Sequence, residues 1–246
     1  MTRLPAPWLA LAAATVLGAA PAQVRAGPPY VTDDPEPTDP GHWEIYNFAT
    51  GSQTPGDLAG EAGLDINYGA APNVQATAVV PVAFDNGDRL GAGVLQLAIK
   101  YRLLRQQPGS WMPDVSFFPR VLLPTGVGFD PTPTGLFLPL WAEKDFGPWS
   151  VFGGGGLQLN PGPQQRNFWQ SGIAISRALG ERASIGVEVF QQTASARGQQ
   201  DFAGVNVGAT YKLSAHWTLM GAAGPGVENA RREDQYMFYA ALEATY

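Results

Sequence analysis

The feature that most constrains this chain is an alternation of apolar and mixed residues with a period of two. It recurs about twelve times and ends on an aromatic residue at the C-terminus. In the last segment Tyr236, Phe238, Ala240, Leu242, Ala244 and Tyr246 make an apolar face; Gln235, Met237, Tyr239, Ala241, Glu243 and Thr245 make a more mixed one. Successive side chains of a strand point to opposite faces, so the pattern reads as sheet that is apolar on one side. Leu95, Leu97, Ile99, Tyr101 and Leu103 alternate in the same way with Gln96, Ala98, Lys100 and Arg102. Val205, Val207, Ala209, Tyr211 and Leu213 alternate with Asn206, Gly208, Thr210 and Lys212.

The strand signals fall at 42–50, 60–70, 73–83, 91–103, 113–123, 134–144, 148–158, 167–178, 182–193, 202–213, 215–225 and 236–246. Each window has about the length that a tilted strand needs to cross the hydrocarbon of a bilayer. In a soluble sandwich the apolar face would meet a second sheet. Behind an export signal the same units read as a transmembrane barrel, with the apolar set on lipid and the polar set lining a lumen. The expected fold class is therefore all-β: an antiparallel transmembrane β-barrel of about twelve strands, with ten or fourteen as the other counts, preceded by a short Pro-rich arm.

The first 26 residues read as a cleaved export signal. Arg3 gives a positive start, and Trp8 to Ala20 is an apolar stretch too short to span a bilayer as a helix. Two small-x-small sites follow, and cleavage after Ala26 would leave 220 residues. Cysteine is absent, which excludes disulfides and thiolate metal sites. The formal charge of −6 becomes −8 once Arg3 and Arg25 are removed, so the chain has no basic stripe for nucleic acid. The expected location is the outer membrane of a Gram-negative cell, with its lipids as partners.

Residues 27–41 carry five prolines and four acids, Asp33, Asp34, Glu36 and Asp39. Proline cannot donate to a ladder, so this segment reads as an extended arm preceding a barrel domain of residues 42–246. Two readings stand side by side: a loose tail, or a plug folded into the barrel mouth. The acids match no calcium loop, and a solvated acidic arm is expected. Short links at 70–73, 145–148, 179–182 and 214–216 alternate with longer ones around 51–59, 84–90, 124–133, 159–166, 194–201 and 226–235. Barrels place short turns on the periplasmic side, and Leu104 to Met112 is the exception to the alternation. Trp43, Tyr68, Tyr101, Trp111, Phe146, Trp149, Trp217 and Tyr246 fall near that end, where amphipathic rings form girdles.

Gly27-Pro28-Pro29-Tyr30-Val31-Thr32-Asp33-Asp34-Pro35-Glu36-Pro37, followed by Gly41-His42-Trp43-Glu44, resembles the opening of an exported family. Asn67 to Asn73, Leu122 to Gly126, Phe146-Gly147-Pro148-Trp149, and Gly153 to Gly156 followed by Asn160-Pro161-Gly162 also look like it. The family is the outer-membrane transporter type named for the "MetA-pathway of phenol degradation", and the likeness runs over nearly all of the mature chain. The resemblance implies an outer-membrane barrel that takes up aromatic or other hydrophobic compounds. It brings no binding residues with it.

Little in the chain reads as catalytic. A serine hydrolase needs a base beside its nucleophile, and both histidines, His42 and His216, map to the rim without a Gly-x-Ser-x-Gly elbow. Their separation in sequence also speaks against zinc, and no His-Glu-x-x-His run occurs. No catalytic residue, metal or cofactor is expected. Gly153 to Gly156 lacks the Gly-Lys-Ser/Thr of a phosphate loop and reads as strand bending or as a contact with the arm. Ionisable residues of the non-lipid parity should line the lumen, because a charge facing lipid at the midplane is costly. These are Asp65, Lys100, Arg102, Arg120, Glu143, Glu188 and Lys212. They either pair with one another or contact solute, and Arg120 with Glu188 is the expected constriction. The function expected first is a passive channel for small, hydrophobic or aromatic solutes. The alternatives are a side-chain-filled structural or surface-interaction barrel and, third, an outer-membrane hydrolase.

Overall fold

A computed structural model describes residues 29–86, 89–107, 109–125 and 133–246. The export signal, Gly27, Pro28 and most of the 124–133 link lie outside the described residues. Fourteen hydrogen-bonded segments follow the arm: β1 (Trp43–Thr54), β2 (Asp57–Ala71), β3 (Val74–Asp85), β4 (Arg89–Ala92), β5 (Leu95–Leu104), β6 (Asp114–Phe117), β7 (Arg120–Leu123), β8 (Gly135–Phe146), β9 (Trp149–Leu159), β10 (Phe168–Ala178), β11 (Ala183–Gln192), β12 (Phe202–Lys212), β13 (Trp217–Glu228) and β14 (Tyr236–Thr245). Neighbours pair antiparallel throughout, and β14 returns to β1, with Ile45 opposite Ala244, which closes the sheet.

Two adjacent staves are each built from two segments. β4 and β5 both pair with β3, interrupted at Gly93-Val94; β6 and β7 both pair with β5 and β8, interrupted at Phe118-Pro119. The result is a closed antiparallel barrel of twelve staves, the count read from the sequence. Pro119 explains one interruption, since it has no N–H to give. Its carbonyl still accepts the Ile99 N–H at 3.3 Å, so the wall stays bonded across the break.

The two faces are inverted relative to a soluble protein. Ile99, Ile173, Val187, Val189 and Val207 stand outward, each about half exposed, whereas Lys100, Arg102, Glu143, Glu188 and Asn206 are buried inside. An apolar exterior around a charged interior suits hydrocarbon outside and a lumen within. The expected aromatic ring is present at the turn end: Trp43 packs on Tyr68 with centroids 4.5 Å apart, Trp111 meets Phe146 at 6.3 Å, and Arg177 lies over Trp149.

The expected 51–59 loop is absent. β1 and β2 run on as a hairpin closed by Pro55-Gly56, with Gly56 at φ 87°. Beyond the hydrocarbon a strand has no reason to alternate apolar with polar, so Ser52, Gln53 and Thr54 carry no signal of the ladder they form. The Gly153 to Gly156 run serves strand geometry. Gly154 and Gly155 sit at φ 151° and 152°, and a Cβ there would strike the Leu140 and Gln170 carbonyls of the flanking strands. The arm is not among their nearest atoms.

Because Val187 lies mid-stave on the outward face, Val187→Lys should destabilise the barrel by about 2–4 kcal/mol, as for charges near a bilayer midplane. A urea titration in lipid vesicles, followed by the heat-dependent gel shift, measures this. An unchanged midpoint would place that face away from lipid.

Candidate functional site: the lumen and its N-terminal arm

Residues 29–41 run inside the barrel. The arm enters at the end that carries both β1 and β14 termini, where the Gly41 N–H donates to the Gly69 carbonyl at 2.8 Å. Pro29, Pro35, Pro37 and Pro40 have no N–H, so the arm needs few acceptors, and those it needs come largely from wall side chains. The Thr38 N–H donates to Gln75 Oε1 at 2.8 Å, and the Val31 and Thr32 N–H groups donate to the two Glu188 oxygens at 3.1 and 2.5 Å. Asp34 and Glu36 donate locally, to Asp33 and Asp34 oxygens.

Charge fixes the arm to the opposite wall. Lys100 Nζ lies 3.2 Å from Asp33 and 3.4 Å from Asp34, and it donates to the Asp34 carbonyl at 2.8 Å. Arg102 reaches Glu36 at 3.4 Å and Asp114 at 3.6 Å. Arg120 is paired with Asp33, and the Ser116 hydroxyl donates to the Pro35 carbonyl. Phe118 lies between two of the cations, with Lys100 4.8 Å and Arg120 4.2 Å from its ring centroid. Three of the acids expected to be solvated, Asp33, Asp34 and Glu36, are therefore held by the wall, with Asp34 and Thr32 buried, while Asp39 is exposed. The cause is elementary: Lys100 and Arg102 cannot stay charged in a narrow bore without partners, and removing one member of a buried pair typically costs about 3–5 kcal/mol.

The seven residues singled out in the sequence divide into groups. Lys100, Arg102 and Arg120 meet the acids of the arm, not those of the wall alone. Glu188, fully buried, is gripped by the arm backbone and by Asn206 Nδ2 at 2.9 Å. Arg120 on β7 and Glu188 on β11 thus bracket residues 31–33 from two walls. Asp65 accepts from Asn67 at 3.0 Å, in a network that continues through Gln75 and Thr77 to Thr38. Glu143 takes the Ser150 hydroxyl. Lys212 is exposed at the rim and lines a terminal-end cavity of about 530 Å³.

That cavity corrects the separation assumed for the histidines. β1 and β13 flank β14, so His42 and His216 line the same cavity. His42 Nδ1 lies 3.2 Å from the Pro40 carbonyl, and His216 Nδ1 lies 2.8 Å from that of Thr245. Among the described residues neither ring is bonded to a serine hydroxyl, and no group of three or more ligand-type side chains could hold a metal.

The seat for the tip of the arm was not anticipated. Tyr30 lies over Gly186 and Gly208, which oppose each other across β11 and β12, and packs against Phe152 at 5.8 Å. A Cβ on Gly208 would come within 2.7 Å of the Tyr30 ring, and one on Gly172 would collide with the Thr32 hydroxyl. The available signal was glycine at inward parity on neighbouring strands.

A closed, twelve-stave barrel with an apolar exterior belongs to the transmembrane β-barrels, and the comparisons agree with that class. An outer membrane channel from Pseudomonas putida F1 superposes with a TM-score of 0.68 at 11% identity, covering 85% of this chain and 96% of that one. The NanC porin superposes with a TM-score of 0.59 at 10% identity, covering 83% and 99%. At such identities the likeness is one of fold. No protein-family model and no curated protein sequence matches the chain.

If Gly186 and Gly208 make the seat for Tyr30, Gly208→Val should unseat the arm tip. In a chain without cysteine, Thr32→Cys is a clean reporter. It should resist a maleimide in the parent barrel and react at least tenfold faster beside Gly208→Val; equal rates would mean that the tip is held elsewhere.

Proposed function

We propose that the chain is an outer-membrane channel through which small solutes diffuse, with residues 29–41 as a plug that closes the bore at rest. The observation that carries this reading is the arm itself: acidic, extended, and paired inside the barrel with three wall cations. A barrel that only needed filling could use wall residues alone. A segment joined to the wall at Gly41, and bonded to it chiefly through side chains, can leave by the mouth it entered. The likeness in fold to channels and porins supports transport, and export by the N-terminal leader accords with an outer-membrane location. The resemblance to the phenol-degradation transporter type favours aromatic or hydrophobic solutes. No covalent step is required, and among the described residues neither imidazole is bonded to a serine hydroxyl.

The wall also sets the sign of the ions that would pass. Glu44, Glu61, Asp65, Asp114, Glu143, Glu188 and Glu243 face inward against Lys100, Arg102, Arg120 and, at the rim, Lys212. With the arm gone its acids leave too, yet acid still exceeds base, so an open bore should prefer cations. A permanently filled, structural barrel is the second reading, favoured by how completely Glu188 and Lys100 are enclosed when the arm is docked.

Single-channel recording in a planar bilayer decides between the two, using the full chain and a version lacking residues 27–41. The expected result is rare or small openings for the full chain, and steady openings for the truncated one whose reversal potential in a KCl gradient lies toward that of potassium. Silence from both, with folding shown by the gel shift, would favour the filled barrel.

A further inference from the structure

On the loop side of residues 30–33 the lumen widens into a second cavity, of about 210 Å³, large enough for one ring-sized molecule. Its apolar lining is mostly aromatic, with Val31 and Val79. Phe48 and Tyr239 stack with centroids 6.3 Å apart on β1 and β14, while Phe137 and Trp141 belong to a cluster on the other side.

The charges around it do not balance. Arg120 is the one cation among the described lining residues, and Asp33 already holds it. Glu61 and Asp65, four residues apart on the inward face of β2, also line the cavity. Glu61 accepts the Val94 N–H, and Asp65 accepts from Asn67. Neither has an ion-pair partner among the described residues. Two carboxylates that make no salt bridge among the described residues, beside aromatic side chains, form the kind of surface that attracts an organic cation.

The geometry points to a solute site here for a small organic ammonium ion on an aromatic body. The ammonium meets Glu61 and Asp65, and the ring lies beside Phe48, Phe137, Trp141 and Tyr239. This deepens the channel reading and rests on it, replacing a neutral aromatic solute by a cationic one.

Isothermal titration calorimetry on the folded full-length protein in detergent, at low ionic strength, tests the site directly. Tyramine is the probe with both features; 4-hydroxyphenylacetate reverses its charge and 4-ethylphenol removes it. Tyramine should bind at least tenfold more tightly than either, and the Glu61→Gln/Asp65→Asn variant should erase that preference. Equal affinity for the three compounds, or unchanged tyramine binding by the variant, would overturn the site. The comparison on the parent protein holds even if the variant fails to fold. Charge-selective binding with silent bilayers would sink the channel reading alone; conducting bilayers without charge preference in binding would sink this site alone.

Discussion

Closure of the sheet is the constraint on which the rest of the molecule depends. Hydrocarbon offers no partner to a backbone N–H or carbonyl, so a spanning sheet cannot keep an edge. β14 therefore pairs with β1 along almost the full length of both. Once closed, the wall has only two faces, and the apolar parity must take the outer one. Every ionisable side chain at membrane depth is thereby sent into one narrow bore. Lys100, Arg102 and Arg120 are brought together on adjoining staves by this sorting, and the acidic arm answers the charge problem that closure creates.

How much of this was legible follows from what writes the pattern. The staves were legible because lipid enforces a period of two on each of them, and the parity of Lys100, Arg102 and Glu188 came with it. The hairpin of β1 and β2 was not, since Ser52 to Thr54 lie where water replaces lipid and the alternation lapses. The choice between a loose and a docked arm stayed open for another reason. Both halves of each ion pair were visible, acids at 33–36 and bases at 100–120, but pairing them spans sixty or more residues, and only the closed fold brings them to one depth. His42 and His216 were misjudged in the same way, since distance along the chain says little about distance around a barrel.

The glycines separate local from tertiary information. Gly153 to Gly156 stood out as a run, and that run serves the path of its own strand. Gly186 and Gly208, unremarkable in sequence, make the seat for Tyr30 because they oppose each other across two strands. A single glycine at inward parity carries meaning only once its cross-strand partner is known.

The prolines of the arm have one more effect. They hold its backbone near the extended form before it docks, so less conformational freedom is lost on entering the bore. They also remove four of its donors, so ladder pairing is limited to short stretches such as the single bridge of Pro40 with Gly69. A segment built in this way is held in the bore by side chains and charge, with almost no ladder bonds to the wall.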